Sequence, residues 1–154
     1  EKDMPHLIRL GKQLLTAHVS FDSSYYALEE NFDSLFGVWV KQQLSSSSQF
    51  LFVAEYTISE EEGARVVGFI SGFVKALFPW FKTKSVGHIS YLIIDEAYQK
   101  QGIGKLLEDA ARNWFVEKNI HFLELYVDEK NEIGQRVWNS YGFLPFKKFL
   151  RKKI

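Results

Sequence analysis

The stretch IIDEAYQKQGIGKLLEDAARNWF, residues Ile93–Phe115, decides the fold. It begins in the last residues of an apolar run rich in β-branched side chains, which is typical of a strand. From Ile103 onward, apolar residues recur every three or four positions, and this spacing predicts an amphipathic helix. Two glycines, Gly102 and Gly104, stand where one pattern gives way to the other. The sequence therefore predicts a strand, a turn with little side-chain bulk, and a helix in direct succession.

The glycine turn has the chemistry of an anion site. At the start of a helix several backbone N–H groups lack acceptors, and the helix dipole adds partial positive charge. Glycine lets an anionic group approach those amides closely, and Lys100 and Lys105 flank the turn. The turn lacks the third glycine of a dinucleotide fingerprint, because Leu107 stands in its place, and it lacks the Lys-Ser/Thr pair of a P-loop. A phosphate or pyrophosphate site is favoured, with a tight turn that binds nothing as the alternative.

Composition sets limits on function. The chain has 154 residues, 46% of them hydrophobic, which is enough for one domain with its own core. Lys and Arg number 19, as do Asp and Glu, so no overall field attracts nucleic acid or a membrane. The absence of cysteine excludes a disulfide framework, a thiolate nucleophile and a cysteine-bound zinc site, and is compatible with the cytoplasm. His6, His18 and His121 show no metal-ligand spacing, so we expect no metal site.

Hydrophobic periodicity and turn residues predict the remaining elements. Asp3 is the expected N-cap of the first helix, and Gly142 the expected C-cap of the last. The acidic turn Glu60–Glu62 is the expected solvated tip of a strand hairpin, and the aromatic loop Phe78–Ser85 either lines a pocket or packs on the core. The predicted helices are Asp3–Ala17, Leu28–Val40, Ile103–Phe115 and Asn131–Gly142, and the predicted strands are Gln49–Ile58, Arg65–Leu77, Gly87–Asp95, His121–Val127 and Phe143–Lys153. This order indicates an α/β (α+β) protein with one central, mixed, mostly antiparallel sheet flanked by helices.

Two motifs give the sequence a family resemblance. QKQGIG, Gln99–Gly104, fits the (Arg/Gln)-x-x-Gly-x-(Gly/Ala) signature of the GNAT superfamily, the acetyl-CoA-dependent N-acetyltransferases, and lies between a strand and a long helix as it does in that family. NEIGQRVWNSYGF, Asn131–Phe143, resembles the family's Asn…small…Tyr…Gly-Phe segment, and the order of elements matches as well. The resemblance implies a single GNAT-like domain over residues 1–154 with splayed central strands. The family's strand before the first helix is expected to be missing or truncated.

The resemblance implies acetyl-CoA as the cofactor and coenzyme A as the product. The backbone of Leu92, Ile93 and Ile94 would pair with the pantetheine arm like an added strand. Asn131, at the start of the short last helix, would contact the same arm. The pyrophosphate would lie on the glycine turn and its flanking residues, which are Gln99, Lys100, Gln101, Gly102, Ile103, Gly104 and Lys105.

The resemblance also implies a general acid that this sequence does not supply in its usual form. The family often places a tyrosine seven residues after the asparagine, beside the cofactor, but Trp138 occupies that position here. An indole N–H is not a practical proton donor in acid catalysis. Tyr141, one helical turn further on, could substitute, although packing beside the helix C-cap is the alternative.

Candidates for the general base lie near the predicted splay. Tyr126 stands where some N-terminal protein acetyltransferases of this family carry a catalytic His, and strand alternation puts it on the same face as Glu124. His88 and Tyr91 lie on the preceding strand, and simple alternation puts them on opposite faces. An ordinary His titrates at about pH 6.5, which suits a base. The catalytic candidates are therefore Tyr126, His88 and Tyr91, with an ordinary structural role as the alternative for each.

These patterns together predict an N-acetyltransferase. It would transfer the acetyl group of acetyl-CoA to a primary amine of a small molecule or of a peptide or protein N-terminus, by direct attack in a ternary complex. A catalytically degenerate acetyl-CoA-binding sensor or scaffold is the alternative, because Trp138 replaces the usual acid. We expect a cytoplasmic monomer or homodimer without nucleic-acid or membrane partners.

Overall fold

The computed structural model describes residues 2–59 and 63–154, which form an α/β domain with a four-stranded sheet. The helices are α1 (Met4–Phe21), α2 (Phe32–Ser45), α3 (Ile103–Glu117) and α4 (Glu132–Ser140), and the strands are β1 (Gln49–Ser59), β2 (Gly63–Ala76), β3 (Ser85–Ile94) and β4 (Leu123–Leu125). A 3₁₀ turn, Glu96–Tyr98, lies between β3 and the glycine turn. The predicted acidic hairpin tip, residues 60–62, is outside the described residues. None of the helices in the described ranges is long and apolar enough to cross a membrane.

The sheet is mixed and opens at one end. Its strands lie in the order β1-β2-β3-β4, with β1, β2 and β3 antiparallel and β4 parallel to β3. The pairing of β3 with β4 runs only from Gly87↔Leu123 to Ile89↔Leu125, although β3 continues to Ile94. Among the described residues, no strand pairs with this side of β3 beyond Ile89. The two strands therefore part, and the predicted splay is confirmed.

Helices cover both faces of the sheet. α1 and α2 lie on one face, where Leu10 and Val40 are fully buried against Phe69 of β2. α3 covers the other face and buries Phe115 against the next residue of β2, Ile70. Successive side chains of a strand point to opposite faces, so β2 contributes to two cores. This explains its nearly unbroken apolar run, since a strand buried on both faces needs no polar side.

A β-bulge lies beside the point where the strands part. Ser71 of β2 pairs with Tyr91, but its neighbour Gly72 pairs with Ile89, so Ser90 is an extra residue in β3. An extra residue leaves the ladder locally unpaired and changes which side chains face which way. The alternation of β3 is therefore reversed between its first and second halves.

The bulge brings two catalytic candidates onto one face. Tyr91 packs against Trp39 of α2, whereas His88 lies against Phe73, with ring centroids 5.5 and 5.0 Å apart respectively. Phe73 is four residues from Phe69 on β2 and so points to the same side, the side of α1 and α2. The expectation that His88 and Tyr91 lie on opposite faces is wrong, because simple alternation does not include the extra residue.

The end of α4 agrees with the sequence. Gly142 has φ +92°, in the left-handed region that glycine adopts without cost. The N–H of Phe143 donates to the carbonyl of Trp138 at 3.0 Å, and the N–H of Gly142 donates to that of Asn139 at 2.9 Å. These two bonds form a Schellman motif, which satisfies carbonyls that a helix end leaves free. The predicted C-terminal role of Gly142 is confirmed.

Other predicted boundaries need correction. α1 continues past Ala17 to Phe21, and Asp3 stands at its N-cap position without a side-chain hydrogen bond to the helix. α2 begins at Phe32, so Leu28 precedes it and packs onto the core from the connecting loop. Apolar spacing extends into loops that pack on the core, so it marks burial more reliably than it marks a helix end.

The predicted closing strand is wrong, because residues 143–154, the C-terminal segment, form no strand. Its apolar residues do not alternate, since Phe146, Phe149 and Leu150 are separated by three positions and one. A period of two is what allows a strand to bury one face. Pro145 also lacks the N–H that a sheet ladder would use.

Candidate functional site

The turn before α3 presents backbone amides on a short, open loop. Gly102 is the N-cap of α3 and has φ +80°, and Lys100 has φ +61°. A left-handed conformation costs a residue with a β-carbon about 1–2 kcal/mol, so this turn holds Lys100 in an unfavourable geometry. As at any helix start, the N–H groups of Ile103 and Gly104 have no acceptor within the helix. Their position and the helix dipole suit an anion.

The two lysines that flank the turn differ in their surroundings. Lys105 Nζ is 2.8 Å from Glu108 Oε2 and also contacts Asp109, and these two carboxylates, Asp109 first, raise the pKa of Lys105. Its charge is therefore already compensated. Lys100 is exposed, and no salt bridge joins it to another residue of the described ranges. Lys100 is thus the lysine whose charge remains available to a ligand.

The open edge of β3 carries backbone groups that face the gap. The N–H of Asp95 donates to the carbonyl of Val67 at 2.7 Å, so Asp95 and, two residues before it, Ile93 direct their backbone toward β2. Leu92 and Ile94 then direct theirs toward the gap. The carbonyl of Ile94 accepts a hydrogen bond from Gln99 Nε2 at 3.1 Å. Two of the three predicted residues, Leu92 and Ile94, can therefore pair with an added strand.

The glycine turn and the open edge meet at Gly104. An added β-carbon at Gly104 would lie 2.8 Å from Tyr141 Oη, 3.9 Å from Ile94 Cγ1 and 4.0 Å from Leu92 Cδ2. Burial and the neighbouring carboxylate of Glu108 raise the pKa of Tyr141, against the opposing effect of Lys105. The tyrosine hydroxyl is therefore protonated at neutral pH. It lies where the amides of α3 and the edge of β3 converge.

A second group of polar side chains lies at the base of the gap, on the side of α1 and α2. His88 and Glu124 are paired neighbours on β3 and β4. Glu124 Oε1 is 2.6 Å from Lys75 Nζ and 3.6 Å from His88 Nδ1. The ring of Tyr126, the first residue after β4, lies 5.0 Å from that of His88. The structure thus brings together two of the three catalytic candidates.

This group favours a neutral imidazole beside an ionised carboxylate. Burial lowers the pKa of His88, the charge of Glu124 raises it, and that of Lys75 lowers it again, with a net downward shift. Burial raises the pKa of Glu124, but the hydrogen bond and charge of Lys75 outweigh it, so the net shift is downward. His88 is therefore uncharged at neutral pH and can accept a proton, with Glu124 placed to stabilise the resulting cation.

Tyr91, the third catalytic candidate, lies apart from this group. Its ring packs edge-on against Trp39, and burial raises its pKa. A tyrosine with a raised pKa holds its proton more firmly at neutral pH and is a weaker candidate for a base. The packing role that the sequence left open for Tyr91 agrees with these contacts.

The family to which the chain belongs can be stated with this geometry in hand. The model of the acetyltransferase (GNAT) family matches residues 11–143, which is most of the chain. The chain belongs to the GNAT acetyltransferase family. The resemblance drawn from QKQGIG and the Asn131–Phe143 segment is confirmed, and membership supports an acyltransferase.

Solved structures share the GNAT fold at low sequence identity. The tetramutant of the BH1408 protein from Bacillus halodurans matches with a TM-score of 0.83 and 21% identity, over 99% of this chain and 95% of that one. Aminoglycoside N-acetyltransferase AAC(6')-Iy in complex with CoA matches with a TM-score of 0.75 and 17% identity, over 99% and 89%. A "predicted acetyltransferase" with acetyl-CoA from Clostridium acetobutylicum matches with a TM-score of 0.74 and 20% identity, over 99% and 90%. No curated protein sequence matches. These relatives confirm the fold.

Within the GNAT fold, the two predicted cofactor residues of α4 have structural roles. Asn131 Oδ1 accepts a hydrogen bond from the N–H of Gly134 at 2.9 Å, and so caps the helix. The ring of Trp138 lies 5.3 Å from that of Phe143, and both pack against the core under α3. Contact of Asn131 or Trp138 with the cofactor stays a prediction.

The aromatic loop of this GNAT domain is exposed to solvent. Phe78, Trp80 and Phe81 are at least half exposed, and the rings of Phe78 and Trp80 stack 4.7 Å apart. The loop forms the tip of the β2–β3 hairpin, next to Ser85, where β3 begins. The expectation that its aromatic side chains pack on the core is wrong, and a loop that lines the pocket stays a prediction. Residues 78–84 are called the hairpin-tip loop below.

Metal chemistry finds no support in the described part of the chain. Residues 2–59 and 63–154 contain no group of three His, Cys, Asp or Glu side chains placed to bind a metal ion. His18, on α1, instead has its Nδ1 2.9 Å from the carbonyl of Leu14. Its ring nitrogen is therefore engaged by a backbone carbonyl of its own helix.

Sequence reasoning missed Lys75, whose role depends on the folded site. Lys75 belongs to β2 and meets Glu124 of β4 across the intervening strand. Tyr141 was offered by the sequence as a substitute acid, because it stands one turn after Trp138. Its position beside Gly104 depends on the folded chain.

Proposed function

We propose that this GNAT protein is an N-acetyltransferase that transfers the acetyl group of acetyl-CoA to a primary amine by direct attack in a ternary complex. The observation that carries the proposal is the parting of β3 and β4 beside the amide-rich start of α3. A cofactor with a diphosphate and an amide-bearing arm needs both features at once. Family membership and the presence of CoA or acetyl-CoA in related structures support it.

The residues present fit acetyl-CoA. The amides between Lys100 and Lys105 suit its pyrophosphate, with the side chain of Lys100 as an additional cation. The gap-facing backbone of Leu92 and Ile94 suits the amides of the pantetheine arm, which would add to β3 as a strand does. Gly104 leaves room for the hydroxyl of Tyr141 at the meeting point of these two surfaces. When bound, acetyl-CoA supplies the activated acetyl group.

His88 is the proposed base. It is buried, uncharged at neutral pH and close to Glu124, so it can take the proton that the amine loses during attack, directly or through a water. Tyr126 packs beside His88 and is largely exposed, so it would contact the acceptor. A gap-facing N–H, that of Leu92 or Ile94, is placed to stabilise the negative charge that develops on the carbonyl oxygen.

Tyr141 is the proposed acid. Its hydroxyl lies over Gly104, near the side chains of Leu92 and Ile94, and its raised pKa keeps it protonated until a proton is needed. Donation to the leaving thiolate would complete the transfer. This assignment gives the role that the family's usual tyrosine position, here Trp138, does not fill.

The surroundings of the gap favour an acceptor with little positive charge. The related aminoglycoside N-acetyltransferases carry their substrate class in their names. Here Glu124, which borders the gap, is paired with Lys75, and Asp22, at the end of α1, is paired with Arg151. Paired carboxylates attract a polycation weakly. A small amine or a peptide N-terminus is therefore proposed, and an α-amino group, with a pKa of about 8, is also easier to deprotonate than a lysine.

A catalytically degenerate acetyl-CoA sensor or scaffold is the second candidate. The observation that favours it is Trp138, which packs into the core where many GNAT enzymes carry the acid. It shares the cofactor site with the first candidate and differs only in turnover.

Release of free thiol from acetyl-CoA, measured over a panel of small amines and N-terminal peptides, separates the two candidates. We expect release with at least one acceptor, and a loss of about 100-fold or more in kcat for His88→Ala. His121→Ala is the matched control, because His121 is exposed and lies before β4 begins, and it should keep full activity. Tight acetyl-CoA binding without thiol release on any acceptor would favour the sensor.

A further inference from the structure

The C-terminal segment exposes large apolar side chains to solvent, although Phe149 also lies 6.1 Å, ring to ring, from Tyr126. Phe143 packs onto the core under α3 and anchors it. Beyond this anchor, five apolar residues are each at least 75% exposed, namely Leu144, Phe146, Phe149, Leu150 and Ile154. So much apolar surface within eleven residues is unusual for a chain that only meets water.

The same segment is strongly cationic. It contains no acidic residue and five basic ones, which are Lys147, Lys148, Arg151, Lys152 and Lys153. Arg151 is paired with Asp22 and lies over the ring of Tyr25. The other four join no carboxylate in the described part of the chain. Their charges are therefore open to a partner.

The hairpin-tip loop repeats this chemistry in a separate part of the chain. Its aromatic residues are exposed, and it carries Lys82 and Lys84 with no acidic residue. Lys84 Nζ donates to the carbonyls of Pro79 and Phe81, at 2.5 and 2.6 Å, and so holds the loop in shape. Together the two segments contain seven of the 19 basic residues and none of the 19 acidic ones. The rest of the chain therefore carries the excess of acidic residues, and the net charge of zero is the sum of a basic part and an acidic part.

We propose that the C-terminal segment binds the surface of a membrane containing anionic phospholipids, with the hairpin-tip loop as a second contact. Lysines near such a surface are attracted to the headgroups, and aromatic and aliphatic side chains insert at the boundary of the acyl chains. Trp80 adds the residue type most typical of the membrane interface. This departs from the expectation of no membrane partner, which rested on net charge alone.

Two other occupants fit less well. A second copy of the chain would bring two segments with five positive charges each against one another, which is unfavourable. Single-stranded nucleic acid could use the charges and the aromatic rings, since bases stack on aromatic side chains. It has no use for Leu144, Leu150 and Ile154, which present no ring to a base. Lipid uses both the charges and the aliphatic side chains.

Co-sedimentation with lipid vesicles tests the proposal. The full chain is mixed with vesicles of phosphatidylcholine alone or with added phosphatidylserine, at ionic strengths below and above 0.15 M, roughly the physiological value. We expect binding to the anionic vesicles that weakens with salt. The double variant Lys147→Glu, Lys148→Glu should bind at least about 30-fold less, because the loss of each lysine near the surface costs about fivefold and the new carboxylates are repelled by the anionic headgroups.

A charge-matched control and a fold control keep the test decisive. The double variant Lys2→Glu, Lys41→Glu changes the net charge by the same amount, at exposed positions outside both segments. It should bind the vesicles as the wild type does. Thermal unfolding shows whether the variants stay folded, and Phe146→Ser with Leu150→Ser tests insertion separately. Equal loss in the control pair, no binding to anionic vesicles, or light scattering that shows a dimer broken by the segment variants would each overturn the proposal. So would binding to an oligonucleotide but to no vesicle.

Discussion

Replacing Gly104 with alanine tests the proposed cofactor site at the point where its two halves meet. The new β-carbon would lie 2.8 Å from Tyr141 Oη, whereas ordinary contact begins at 3.4 Å. The hydroxyl or the helix start must therefore move by about 0.6 Å. A shift of the helix start would displace the amides of α3 that are proposed to bind the anion.

The expected effect on affinity is larger than the effect on stability. Overpacking costs about 1–3 kcal/mol, and alanine in place of glycine in a helix returns about 1 kcal/mol, so unfolding should become easier by at most about 2 kcal/mol. A hydrogen bond to a charged group contributes about 1.5–3 kcal/mol. Loss of one such bond to the pyrophosphate should raise the Kd for acetyl-CoA by about 10- to 150-fold. Gly104→Asp adds charge repulsion and should abolish binding.

Calorimetric titration with acetyl-CoA, paired with thermal unfolding, measures both quantities. Gly37→Ala is the matched control, because Gly37 also lies in a helix, α2. A β-carbon there meets Ile8 and Met4 of α1 at an ordinary contact distance of 3.9 Å. Its Kd should equal that of the wild type. A folded Gly104→Ala protein that binds acetyl-CoA with the wild-type Kd would refute the assignment of the site, and no heat from the wild type at millimolar acetyl-CoA would refute the proposed function itself.

The remaining predictions concern the acid, the base and a helix cap. Lys75→Met should move the acidic limb of the kcat/KM profile to higher pH and Glu124→Gln should move it to lower pH, because Lys75 lowers and Glu124 raises the pKa of His88, which must be neutral to act. Shifts in the same direction would contradict His88 as the base. Tyr141→Phe should lower kcat by about 100-fold with an unchanged Kd for acetyl-CoA, and an unchanged kcat would remove Tyr141 from the mechanism. Asn131→Ala should lower the free energy of unfolding by about 1 kcal/mol in denaturant titration, because it removes the cap of α4.

Local patterns in the sequence predicted the parts of the fold that local interactions determine. The glycine turn and α3 follow from side-chain spacing over a single stretch, and the end of α4 follows from one glycine that must adopt a positive φ. The family motifs coincide with these two places. The turn, the long helix and the cap at Gly142 were therefore all correctly predicted.

The arrangement of the candidate catalytic residues depends on contacts between distant parts of the chain. The extra residue Ser90 cannot be recognised from the sequence, yet it places His88 and Tyr91 on the same face of the sheet. Lys75 and Glu124 are 49 positions apart and meet only in the folded sheet. The predicted closing strand was wrong for a different reason. Its β-prone residues lack a period of two, and without that period they do not specify a sheet partner.

The brief contact between β3 and β4 has a consequence for how long the molecule survives. Three residue pairs and the Lys75–Glu124 bridge attach β4 to the rest of the sheet, so this end opens more readily than the β1–β2–β3 ladder. Under the proposed binding mode, acetyl-CoA closes the gap and shifts that opening equilibrium by mass action. Limited proteolysis should then cut after β4 more slowly as acetyl-CoA rises, and a cutting rate independent of it would contradict the link. A cell with little acetyl-CoA would thereby degrade this protein faster than a cell with abundant acetyl-CoA.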